Sequence, residues 1–105
     1  MVITRHTDPP GLVLSGDIGA AQLQALRDVV LEAADAGGDG VRLCARDVPF
    51  LRVEAIRVLI AVAAELAPRG RALVLDVARH HAWAIEALGW ADAPGLVLLN
   101  GGVPR

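Results

Sequence analysis

Hydroxyl side chains are almost missing from this chain: it has one serine (Ser15), two threonines (Thr4 and Thr7) and no tyrosine. Hydroxyl chemistry, nucleophilic attack and Ser/Thr/Tyr phosphorylation alike, therefore has almost nowhere to occur, and nowhere at all after Ser15. Ser15 itself has no nucleophile elbow and no base beside it, and it reads as a strand residue. Lysine is absent too, all ten basic residues being arginine; alongside so much alanine, that is a compositional bias and not a mechanism. A single cysteine excludes an internal disulfide, and Cys44, set in VRLCA, reads as a buried thiol. No unbroken apolar run approaches the roughly 18 residues of a membrane span. The run Val58 to Ala64 is closed off by Arg57 and Glu65. The opening MVITRHTDPP lacks the basic start and apolar middle of a signal peptide, so a soluble, cytoplasmic protein is expected. Net charge is only −2 and the charges are scattered, which is no footprint for nucleic acid.

What the chain does have is apolar surface to bury. With 105 residues, 54% of them hydrophobic, it is expected to be one domain over 1–105, burying about two-thirds of its unfolded surface. Val2 to Thr4 reads as a short edge strand, DPPG (8–11) as a turn and LVLSG (12–16) as a strand. Leu23, Leu26, Val30 and Ala33 then recur at helical spacing, with Gln22, Gln24, Arg27, Asp28 and Glu32 on the other side, up to GGDG at 37–40. VRLCA (41–45) is the next strand. A second helix is expected from about Arg52 to Ala67, with Ile56, Leu59, Ile60, Ala63 and Leu66 inward. ALVLD (72–76) reads as a strand buried on both faces. A third helix, about Arg79 to Leu88, closes on a Gly89 cap with Trp90 folding back toward Ile85. GLVLL (95–99) is the last strand, and residues 99–105 read as a loose tail. The order β-β-α-β-α-β-α-β implies a small, mixed, mostly parallel α/β sheet flanked by helices.

Catalytic and ligand-binding chemistry finds little support. Adjacent residues on a helix point about 100° apart, so His80 and His81 are a poor pair for one metal and read as solvated residues of a helix start. Asp76 ends a strand, where α/β sheets place functional carboxylates, but the preferred reading is a cap on the third helix. GGDG follows a helix and opens a strand, the reverse of a phosphate loop. Trp83 and Trp90 read as packing residues. No catalytic residue, metal site or cofactor is expected.

Four segments in order, LVLSGDI (12–18), VRLCARDVPFLRVEAIRVLIAVA (41–63), RGRALVLD (69–76) and IEALGW (85–90), resemble the STAS domain of bacterial anti-sigma-factor antagonists. The resemblance implies a small sheet flanked by helices and a non-enzymatic, protein-binding regulator. In that family the second helix opens on Asp-Ser-Ser/Thr-Gly, whose first Ser is phosphorylated by a partner kinase that is also the anti-sigma factor. Aligned on Phe50, the motif falls on Arg52-Val53-Glu54-Ala55, with Val53 at the phosphoserine position, and Cys44 stands where the preceding strand commonly ends in Asp. A one-residue slip supplies no hydroxyl either. The resemblance therefore implies a module not switched by phosphorylation at this corner. Arg46, Asp47, Phe50, Arg52, Val53, Glu54 and Arg57 are expected to form either the solvated remnant of a lost switch or a docking face that favours an acidic partner. Glu54 is a weak phosphate mimic, carrying less charge and two acceptor oxygens instead of three. The partners implied are an anti-sigma factor or other protein with a GHKL-type ATPase domain, or, as an alternative, the ATPase of a bacterial phospholipid transporter bearing a STAS accessory subunit. Small-molecule sensing, known for some STAS domains, has no pocket motif here.

Overall fold

A computed structural model of the protein describes residues 2–7, 10–37, 40–100 and 103–104. β1 (Val2–Thr7) and β2 (Pro10–Ser15) pair antiparallel, with Thr7 opposite Pro10. β1 is longer than the expected 2–4. Pro10 and Gly11, expected in a turn, already belong to β2, where a strand-opening proline takes no donor from the ladder; Asp8 and Pro9 lie outside the described residues. A short 3-10 turn, Ala20–Gln22, leads into α1 (Leu23–Gly37). There Gln22 Oε1 accepts the Gly19 N–H at 2.8 Å, half of a capping box.

β3 (Gly40–Asp47) follows, two residues longer than expected at its end; of the GGDG loop, Gly38 and Asp39 lie outside the described residues. Then come α2 (Val53–Leu66), β4 (Ala72–Val77) and α3 (Arg79–Ala87). α3 closes as expected: Gly89 has φ 79°, its N–H bonds to Glu86 O at 2.9 Å, and the Trp90 N–H to Ile85 O at 3.1 Å. This is a Schellman cap, and Trp90 packs half-buried against the core. β5 (Leu96–Asn100) takes the first residues of the expected tail, and β6 (Val103–Pro104) pairs back on it antiparallel, Leu99 opposite Pro104.

The six strands lie in the order β1-β2-β3-β4-β5-β6, with β2 to β5 parallel. Each crossover from β2 to β5 steps one strand in the same direction. Right-handed crossovers that never reverse direction leave their helices on one face of the sheet. Burial agrees. Leu12, Leu14, Val41, Leu43, Ala45, Leu73, Leu75, Val77, Leu96 and Leu98 are buried in one cluster with Leu26, Val30, Ala34, Leu59, Val62, Leu66 and Ile85 from the helices. Each fully buried leucine there is worth about 1.5–3 kcal/mol. On α2 the core stripe also takes in Ala55 and Val62, while Ile60 is only half-buried.

The alternate positions of the strands face the other way. Val13, Arg42, Cys44, Val74 and Leu99 are half-exposed and Val97 is exposed. β4 is therefore not buried on both faces: Leu73, Leu75 and Val77 meet the helices, whereas Val74 sits on a face that no described helix covers. Arg27 of α1 clips Glu65 of α2 at 2.6 Å, and Asp35 receives Arg69 at 3.1 Å and Arg71 at 3.2 Å. Such exposed pairs contribute little stability.

Candidate docking corner at the start of the second helix

The corner is built by β3, the loop 48–52 and the first turns of α2. Strand alternation sends Val41, Leu43 and Ala45 into the core and Arg42, Cys44 and Arg46 to the open face. The loop is pinned by Val48, whose N–H bonds to Ala45 O at 3.2 Å and whose side chain is buried. Leu51, 8% exposed, pins its other end.

Arg52 is the N-cap of α2 and not a first-turn residue. Its backbone is extended (φ −70°, ψ 152°), no side chain caps the helix, and its carbonyl accepts the Ile56 N–H at 3.0 Å. Leu51 and Ile56 thereby occupy the N′ and N4 positions of a hydrophobic staple, and both are buried. Apolar packing fixes the helix start where a polar cap is missing. Glu54, in the first turn, carries the charge the helix N-terminus favours.

All seven residues expected here are at the surface: Arg46, Asp47, Phe50, Arg52, Val53, Glu54 and Arg57 are exposed. Phe50 is 63% and Val53 44% exposed, so the loop and the first turn of α2 present two apolar side chains to solvent.

Arg46 is already engaged. Its Nε lies 3.4 Å from Asp76 Oδ2, and Arg42 Nη2 lies 3.3 Å from the same oxygen. The Arg46 Nε–H also points at Cys44 Sγ at 3.5 Å. The Cys44 sulfur first, then the Asp76 carboxylate, hold the Arg46 guanidinium above its ordinary pKa. Asp76 is thus no helix cap: β4 runs on to Val77, and the residue at the α3 N-cap is Ala78, with no side-chain bond. The Asp76 carboxylate is wholly buried beneath two half-exposed guanidiniums. Cys44 is half-exposed on the open face and not a core thiol.

The other candidates fall elsewhere. His80 is exposed, but His81, expected in solvent, is 7% exposed, its ring 4.0 Å from that of His80. Among the described residues, no three His, Cys, Asp or Glu side chains converge to hold a metal. Trp83, expected to pack, is 70% exposed on α3. Ser15 ends β2, half-exposed. A cavity of about 580 Å³ is lined by Glu86, Ala91, Asp92 and Leu96 to Leu99, and shares no residue with the corner.

A mixed, mostly parallel sheet with helices on one face defines a small α/β domain. The family model described as "Mlab, STAS domain" matches residues 1–99, so the chain belongs to the STAS domain family. A search of curated proteins found no match. STAS domains are regulatory modules that work through protein–protein contact. Among the described residues, no helix is long and apolar enough to cross a membrane.

Proposed function

We propose that this protein is a non-enzymatic, cytoplasmic docking module that engages a protein partner through the start of α2, without a phosphorylation switch. One observation carries the reading. The corner exposes Phe50 and Val53 together with the charged Arg52, Glu54 and Arg57 of the same short segment, and no hydroxyl occurs anywhere after Ser15. Exposed apolar residues rimmed by charge are the anatomy of a contact surface. A phosphate would break such a contact by repulsion and desolvation, and here it has no hydroxyl to attach to. Binding is therefore constitutive.

The partner is an anti-sigma factor or another protein with a GHKL-type ATPase domain. A second reading, an accessory subunit seated on a transporter ATPase, is favoured by the Mlab-type description of the matching family. Neither needs turnover by this chain. Affinity purification from the native host separates them, yielding a sigma-regulatory kinase in the first case and a transporter ATPase in the second. The partner found is expected to bind the Arg52→Glu, Arg57→Glu variant at least about tenfold more weakly, a loss of roughly 1.4 kcal/mol, while the variant's circular dichroism and melting stay those of the parent. Unchanged affinity, or a phosphate detected by mass spectrometry within residues 46–57 after incubation with that kinase and ATP, would remove the proposal.

A further inference from the structure

The open face of the sheet has a chemistry of its own, sharing Arg46 with the corner at α2. Its central row runs Thr4, Val13, Cys44, Asp76 and Leu99 across β1 to β5, with Arg42, Val74 and Val97 in register beside it. Most of this surface is apolar and half-exposed, and Val97 is 44% exposed. The charges on it lie at different depths. The Asp76 side chain has no exposed surface, whereas 42% of the Arg42 side chain and 50% of the Arg46 side chain are exposed. Arg42 meets Asp76 through Nη2 and Arg46 through Nε, and the ten N–H donors of the two guanidiniums exceed what one carboxylate can accept. What protrudes from the apolar floor is positive.

We infer that this face is a second docking surface, and that its occupant is an acidic amphipathic helix of a protein partner. Sheets of this kind bury a face under helices, and the opposite face already carries α1, α2 and α3 of this chain. An apolar stripe would cover Val13, Val74, Val97 and Leu99, and carboxylates in or beside that stripe would take Arg42 and Arg46 in bidentate pairs. A second copy fits badly. Two such faces brought together oppose their protruding guanidiniums, and each Asp76 lies too deep to reach across. An anionic membrane or a nucleic acid would face a chain of net charge −2, with only two arginines on this face to offer.

Binding is read with a synthetic helical peptide of Leu, Ala and Glu about three heptads long, against a Leu, Ala and Lys counterpart and vesicles of phosphatidylcholine with phosphatidylglycerol. Amide chemical shifts of the isotope-labelled protein locate the site. The acidic helix is expected to move Val13, Val74 and Val97. Its affinity should fall at least fivefold in Arg42→Gln and in Val97→Glu, the latter leaving the Asp76 ion pairs intact. It should be unchanged in Arg52→Glu, Arg57→Glu, which separates this surface from the corner. Preference for the Lys peptide or the vesicles, association of the protein with itself through this face, shifts confined to α2, or no shift up to about millimolar peptide each overturns the inference.

Discussion

His81 is the residue whose surroundings work hardest against charge. It is the third residue of α3, where the helix dipole disfavours a cation, and it is 7% exposed with Nδ1 lacking any hydrogen-bond partner among the described residues. Burial first, and the neighbouring His80 second, push its pKa below the 6.5 of a free imidazole. The unfolded chain therefore takes up the proton at a higher pH than the folded one. Stability should be complete above about pH 6.5, decline as the pH falls to the lower folded value and level off beneath it. Thermal melts across that range should show the decline in the parent and in His80→Gln, and a much flatter profile in His81→Gln. A flat parent profile, or one flattened by His80→Gln alone, would place the titration elsewhere. Neither the burial of His81 nor the exposure of Trp83 is written in their types: in RHHAWAIEA the helix period fixes which residues share a side, but not which side meets the sheet.

At the scale of the element, the start of α2 is held by apolar packing where other helices use a side-chain oxygen. With Arg52 at the N-cap and no cap bond, Arg52→Ser should stabilise the fold by about 1 kcal/mol in chemical denaturation, and at the same time weaken docking if Arg52 belongs to the contact. A variant no more stable than its parent would mean that the loop backbone cannot present the serine oxygen to the first turn. The weak cap was legible in PFLRVEAIRVL, because no Ser, Thr, Asp or Asn precedes the helix closely. The staple lies in the spacing of Leu51 and Ile56 too, but it is legible only with Arg52 at the N-cap, one residue before the first turn. Element order and the glycine cap at Gly89 came through well because hydrophobic period and turn chemistry are local signals. The bonds that hold Arg46 did not come through. Arg42, Cys44, Arg46 and Asp76 belong to two strands, and only the pairing of β3 with β4 brings them together. The exposure of all seven expected corner residues was thus readable, but the engagement of one of its arginines was not.

At the scale of the whole molecule, the described residues form a one-sided sandwich: three helices on one face of one sheet, and a second face that no described helix covers. That asymmetry follows from strand order alone, since crossovers that never reverse direction never place a helix on the second face. A chain with 54% hydrophobic residues hides this, because in ALVLDV the outward Ala72 and Val74 are apolar like the inward Leu73, Leu75 and Val77, and only Asp76 breaks the pattern, so alternation carries little sign of which face is covered. Neighbouring residues of β4 make the test. Leu75 has no exposed surface and Val74 beside it is half-exposed. Leu75→Ala leaves a cavity among α2, β3 and β5 and should cost about 2–5 kcal/mol. Val74→Ala removes methyl groups that already touch water and should cost at most about 1 kcal/mol, mostly strand preference. Equal losses at the two positions would mean that the second face is covered in solution, by a partner copy or by the chain itself, and the sheet would then have to be redrawn as two-sided. A ratio of about twofold or more between them is what an open face requires.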